Sequence, residues 1–236
     1  PLTSLASLKK PFTPTIENNS EQKSQITFPH LPPLQSTTKE LADSLFLKKV
    51  KLCFQMCDFS NDSNELIETK ENILTELATS LSDPSFILSD TKPIYQSIFA
   101  LISAHIYKTP KEIHEIWFST SDYYMLTDEY HPINFRHISL IYDIAIALFS
   151  RPSFNYDIAL ELSGDLFKLC IFLCRTIDDR EQLKLAELIS ILYSRIKPLR
   201  HFFMKIITST IIRVIYENEP FTSIKPILIS LASIVA

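Results

Sequence analysis

The residues of this chain that could do chemistry are dispersed rather than assembled. His114-Glu115 begins like the zinc-protease motif H-E-x-x-H, in which two histidines one helical turn apart hold the metal and the glutamate activates water. Phe118 stands where the second histidine must be, so the metal pair is missing. The 6 histidines are scattered, and none pairs with a second histidine or a cysteine at helical ligand spacing. Isolated histidines such as His105 and His137 read as packed or capping groups. The 4 cysteines form two i, i+4 pairs, Cys53/Cys57 and Cys170/Cys174. A helix would put both thiols of a pair on one face, where zinc could use them. Structural zinc ligands are usually closer in sequence and carried on loops. The neighbours Phe54, Met56, Ile171, Phe172 and Leu173 favour small buried hydrophobes instead. No catalytic residue, metal or cofactor is expected.

One local feature suits binding. Arg195, Lys197, Arg200, Lys205 and Arg213, joined by His201, occupy a stretch with no acidic residue before Glu217. The stretch spans the corner between two expected helices. Guanidinium forks pair with carboxylates and phosphates, so an acidic or phosphorylated peptide fits such a corner. A solvated surface whose cations pair with Glu187 or with other helices is the alternative. The residues alone leave both open.

The elements that must position these groups are helices. Glycine occurs once, at Gly164, against 14 prolines. Tight hairpins, P-loops and dinucleotide fingerprints need glycine because it alone accepts φ > 0 without strain, so its scarcity disfavours all three. From Thr38 the apolar residues recur at three- and four-residue spacing, as in Leu41, Leu45, Phe46, Val50, Cys53, Phe54 and Cys57. A second stripe runs from about Ser63, and Pro93 opens a third helix. Residues 108–132 are mixed, with a short helical stretch near 112–118 and an acidic, tyrosine-bearing loop. Ile138 to Phe149 is apolar on nearly all sides, which marks a helix sandwiched between neighbours. Pro152 ends it, and another helix follows from about Tyr156 to Arg175. Asp178 and Glu181 suggest a capping box for the next, Pro198 starts a further one, and a last runs from about Ser223. The last helix still runs at Ala236, so the architecture is expected to continue.

About eight helices, paired every 45–50 residues or so, match the period of HEAT-like repeats. The expected fold is all-α, a helical-repeat solenoid of about four helix pairs over 38–236, preceded by a disordered Ser/Thr/Pro-rich tail over 1–37. The tail holds the dipeptide Thr13-Pro14, a possible proline-directed phosphosite, and ends in the extended Leu31-Pro32-Pro33-Leu34. Solenoids expose long surfaces that bind proteins or peptides. A net charge of −4 offers nucleic acid and acidic membranes no strong field. No apolar run is long enough to span a bilayer and no signal peptide is visible, so cytoplasm or nucleus is the expected setting.

From Leu31 to Ala236 the sequence resembles the B-prime family of protein phosphatase 2A regulatory subunits, in the same order throughout. The residues that carry the likeness begin with Leu31-Pro32-Pro33-Leu34, Leu45-Phe46, Lys49, Cys53, Asp58-Phe59, Glu68, Lys70 and Leu74. They continue through Ile94-Tyr95, Phe99, His137, Leu140, Tyr142, Ser153-Phe154, Asp178, Arg180 and Glu181. The last are Leu199-Arg200, Arg213, Ile215-Tyr216-Glu217 and Ser233-Ile234. The resemblance implies a non-catalytic solenoid that bridges the phosphatase scaffold and catalytic subunits. It also implies a groove for substrates with L-x-x-I-x-E motifs. Tyr193, Arg200 and Ile234 match residues of that groove. Ser190 and Ile191 replace a His-Arg pair, and Ser230 replaces an isoleucine. Assembly is expected to persist while motif binding is altered or lost. The segment 108–132 lacks the family's acidic, proline-rich insertion, and Phe135 stands for an expected tryptophan. A HEAT-like adaptor or transport scaffold unrelated to phosphatase is the alternative function. An all-α enzyme would need a metal or cofactor that the sequence does not advertise.

Overall fold

The structure, a computed structural model, describes residues 29, 31–36, 39–55, 64–106, 134–176, 178–216 and 224–235. Thr13-Pro14, Cys57, Asp58-Phe59, the segment 108–132 with His114, Glu115 and Phe118, and Glu217 lie outside the described residues. Among the described residues there are eight α-helices and no strand. They are α1 (Lys39–Cys53), α2 (Asn64–Ser82), α3 (Lys92–Ile106) and α4 (Phe135–Ser150). Then come α5 (Tyr156–Leu173), α6 (Asp179–Arg195), α7 (Arg200–Tyr216) and α8 (Ile224–Val235). A short 3-10 turn, Lys197–Leu199, joins α6 to α7.

The helices form a two-layer ladder. Each odd helix packs on the even helix that follows it, α1 on α2 through α7 on α8. The odd helices also stack in sequence, α1 on α3 on α5 on α7, and the even helices do the same, α2 on α4 on α6 on α8. This is the all-α solenoid expected from periodicity. The even helices contact one another more extensively than the odd ones do. Small residues permit it, for Ala78, Ala145, Ala147, Ala186, Ser190 and Ser230 are all buried there.

Local chemistry sets the helix ends. The Asn155 side chain accepts from the backbone N–H of Asp157 at 3.1 Å and of Ile158 at 3.3 Å, which fixes the start of α5. Asp178 caps α6 by accepting from the Arg180 N–H at 2.9 Å. Glu181 lies three residues on, at the position a capping box would use. Its carboxylate turns into the core, where it accepts from Tyr142 Oη at 3.0 Å and Thr176 Oγ1 at 2.6 Å. Gln182 Nε2 donates to the Thr176 carbonyl at 2.8 Å and completes this joint between α4, α5 and α6. Ahead of α1, Leu34 is 1% exposed, and its N–H donates to Glu76 Oε1 at 2.5 Å. Lys49 pairs with the other oxygen of the same carboxylate.

The even helices are clasped to one another at both edges. At their N-terminal ends a cation reaches back to the preceding even helix. Arg136 meets Glu71 at 3.0 Å, Arg180 lies 3.9 Å over the Phe135 ring, and Lys225 meets Asp179 at 2.7 Å. At their C-terminal ends an arginine donates to the carbonyls that the preceding even helix or its following loop leaves open. Arg151 reaches Leu81 O at 3.3 Å and Phe86 O at 2.9 Å, and Arg195 reaches Ser150 O at 2.7 Å. Arg136, Arg180 and Lys225 stand 44 and 45 residues apart, and Arg151 and Arg195 stand 44 apart. These spacings give the repeat its residue-level register.

Candidate functional site

The region singled out in the sequence lies where α6, the following turn, α7 and α8 converge. Tyr193 and Arg200 come together. The guanidinium carbon of Arg200 lies 5.2 Å from the Tyr193 ring centroid. Arg200 Nε donates to the Tyr193 carbonyl and Nη2 to the Ser194 carbonyl, both at 3.1 Å. Arg200 thus closes the C-terminal end of α6 while remaining half-buried.

Ser190 and Ser230 face each other across the α6–α8 contact. Ser190 Oγ donates to Ala186 O at 2.8 Å and lies 3.4 Å from Ser230 O. Ser230 Oγ returns to its own helix, at 3.0 Å from Pro226 O and 2.9 Å from Ile227 O. Ser230 is 0% exposed. Both hydroxyls are therefore spent within the backbone, and both side chains act as spacers that let two helices touch. Ile191, which packs against the core, and Ile234 remain half-buried. The site so formed offers apolar groups and one stacked guanidinium. It holds no acid–base pair.

The five cations of the corner are not alike. Arg195 and Arg200 are committed to helix-end carbonyls, and Arg213 Nη2 lies 3.4 Å from Thr210 Oγ1. Lys197 and Lys205 are exposed, as is His201. Sequence reasoning missed the carbonyl role of Arg195. Its 44-residue spacing from Arg151 is the signal that would have found it.

The nearest approach to reactive chemistry is elsewhere, where α1 to α4 meet. His105 Nε2 donates to the Cys53 carbonyl at 2.7 Å, and His137 Nε2 donates to His105 Nδ1 at 3.3 Å. This assignment of protons is the one that satisfies both contacts. Burial, then the nearby Lys70 ammonium, holds His105 down to about 4 and His137 to about 3. Two neutral imidazoles so placed are packing groups. Cys53, Cys170 and Cys174 are buried, and burial pushes the Cys170 thiol up to about 12. Such thiols are poor nucleophiles. Among the described residues no three His, Cys, Asp or Glu side chains are placed to hold a metal ion. No described helix is long and apolar enough to cross a membrane.

A groove of about 850 Å³ runs between α2 and α4, lined by Thr75, Thr79, Leu140, Asp143, Ile146 and Arg151 among others. It contains none of the six groove residues implied by the resemblance.

Comparison with known proteins places these features in context. The model of the protein phosphatase 2A regulatory B subunit family (B56 family) matches residues 31–236. The alpha isoform of the phosphatase 2A 56 kDa regulatory subunit from Mus musculus is 27% identical over 217 residues, 91% of this chain and 43% of its own length. The delta 1 isoform from Schizosaccharomyces pombe is 25% identical over 205 residues, 81% of this chain and 35% of its own. The delta isoform from Saccharomyces cerevisiae is 26% identical over 212 residues, 87% of this chain and 27% of its own. The chain spans less than half the length of each of these relatives.

Proposed function

The chain belongs to the B56 family of protein phosphatase 2A regulatory proteins, and from that premise we propose that it is a non-catalytic targeting subunit of the phosphatase. In this reading it binds the scaffold and catalytic subunits and recruits substrate proteins through its solenoid surface, working in the cytoplasm, the nucleus or both. The observation that carries the reading is the family match over residues 31–236, which takes in all eight helices of the ladder. The test is co-purification of the chain with the phosphatase 2A scaffold and catalytic subunits. A stoichiometric ternary complex is expected. Its absence, with the chain demonstrably folded, would move the function to an adaptor unrelated to the phosphatase.

Recruitment through L-x-x-I-x-E motifs is altered in this proposal. Ser190 and Ser230 are closed into the α6–α8 contact, and Ile191 supplies no cation to grip an acidic motif. Arg200, Tyr193 and Ile234 keep the character of such a groove. Losing apolar wall contacts weakens an anchoring side chain by ~1–3 kcal/mol. A standard motif peptide titrated against the chain is expected to bind at least about tenfold more weakly than it binds a family member with the His-Arg pair. Equal binding would refute the altered groove and leave the assembly role untouched.

A further inference from the structure

The segment 31–36 ahead of α1 lies against both helices of the first pair. Its 3-10 turn, Leu34–Ser36, packs on α1 and on α2. Two side chains anchor it by burial, for Leu34 is enclosed and Leu31 packs against the core. Between these anchors Pro32 and Pro33 face solvent and have no backbone N–H to give. Consecutive prolines also keep a chain extended and stiff, so the segment moves as one piece. The polar hold centres on Glu76. Leu34 N–H donates to Glu76 Oε1 at 2.5 Å, and Lys49 pairs with Oε2. Glu76 stands on α2 and Lys49 on α1, so one carboxylate ties the segment to both helices. The Glu76 side chain is 26% exposed and that of Lys49 only 3%. The carboxylate therefore sits at the solvent edge, with its cation held inside. The other flank of Leu34 is open. A cavity of about 450 Å³ lies there, lined by Leu34, Gln35, Ala42, Asp83, Phe86 and Ile87 among others.

We propose that 31–36 is a detachable strap latched by Glu76, which opens and closes over the first helix pair while the rest of the ladder stays folded. Closed, Leu34 covers the apolar edge that α1 and α2 present at this end of the described ladder. Helical-repeat stacks need such a cover on their terminal units. Open, the cavity beside Ala42 extends into the space that Leu34 fills. Units held by few contacts open at a smaller free-energy cost than the whole fold. The strap is such a unit, with one enclosed side chain and a latch at the solvent edge. Free space on its far flank lets it swing out without displacing a helix. Helices α4 to α6 have neighbours on both sides in the ladder and share the enclosed joint around Glu181. The inference rests on this joint and not on the phosphatase reading.

The test is amide hydrogen exchange on the full chain, comparing 31–36 with α4 to α6. In the parent the strap is expected to exchange faster than those helices. The double variant Glu76→Ala, Lys49→Met removes the latch without leaving a buried ammonium unpaired. It is expected to speed exchange in 31–36 by at least about tenfold and to leave α4 to α6 unchanged. Leu34→Ala supplies the control, because it keeps Glu76, Lys49 and the backbone N–H at position 34. Faster exchange of the strap in this variant reports movement of the segment and not mere loss of an acceptor, and a rise of at least about tenfold is expected. Unchanged strap exchange in the double variant would overturn Glu76 as the latch. Equal acceleration in α4 to α6, in either variant, would overturn the strap as a unit that opens by itself.

Discussion

Where α1, α2, α3 and α4 meet, the buried polar groups are bases, whereas where α4, α5 and α6 meet they are a carboxylate and hydroxyls. The first joint holds His105 and His137 beside Lys70, whose ammonium donates to the Gln55 carbonyl. The second holds Glu181, 2% exposed, between Tyr142 and Thr176. Both joints do the same mechanical task in the same ladder. Burial makes them respond to pH in opposite directions. The histidines are held below their ordinary 6.5, so the unfolded chain takes up protons that the folded chain refuses, and acid weakens the first joint. Burial raises Tyr142 well above 10.0 and Cys170 from 9.0 to about 12, so alkali weakens the second.

The largest expected effect breaks the second joint. Glu181→Ala leaves the Tyr142 and Thr176 hydroxyls buried without their acceptor, and urea unfolding should show a loss of ~3–5 kcal/mol. A loss below about 1 kcal/mol would mean that water replaces the carboxylate and that the joint is not sealed.

The pH response sharpens the contrast. Stability should fall as pH drops from 6.5 toward the folded values of about 4 and 3, by up to ~1.4 kcal/mol per pH unit for each proton taken up. His137→Leu should flatten this acid slope even if it lowers stability at pH 7. Glu181→Ala should lower stability at pH 7 without removing the two histidines from the first joint. Parallel slopes for the parent and His137→Leu would show that the histidines do not set the acid response.

A third joint extends the comparison. Ser230→Ile places a branched chain where the α6–α8 contact has room for a hydroxyl, and thermal unfolding should show ~1–3 kcal/mol of destabilisation. A gain in stability would mean that this contact contains unfilled space. The smallest effect is expected at the surface. Lys92 and Glu161 are 51% and 65% exposed in their side chains, and Lys92→Ala should change stability by no more than ~0.5 kcal/mol.

The helices were legible because burial repeats on a local period. Ile138 to Phe149 reads as enclosed from its composition, and α4 has neighbours on both sides of its layer as well as α3 behind it. The register between helices was harder to see. The cations at 136, 180 and 225 and at 151 and 195 carry it, but their spacing acquires meaning only once each is seen to reach backward. Tyr193 and Arg200 could be named together through resemblance to a family. That Ser190 and Ser230 would be enclosed could not be read, because a small polar residue in a helix faces a groove or a neighbouring helix equally well. The same limit applied to the corner. Arg195 and Lys197 look alike as charges, yet one sits over open carbonyls and the other over none.

The two clasped edges of the even layer have unequal sensitivity to the surrounding solution. The Arg151 bonds to carbonyls are sheltered, with Arg151 only 8% exposed, while the Arg195 bond to Ser150 is exposed. The opposite edge relies on Arg136 and Lys225, whose side chains are 74% and 49% exposed. Dissolved salt screens exposed pairs far more than sheltered ones. The margin held by Arg136 and Lys225 is therefore the one expected to loosen first as salt is added. Relaxation of that margin ahead of the rest of the ladder is the expected outcome, read by small-angle scattering across a salt series.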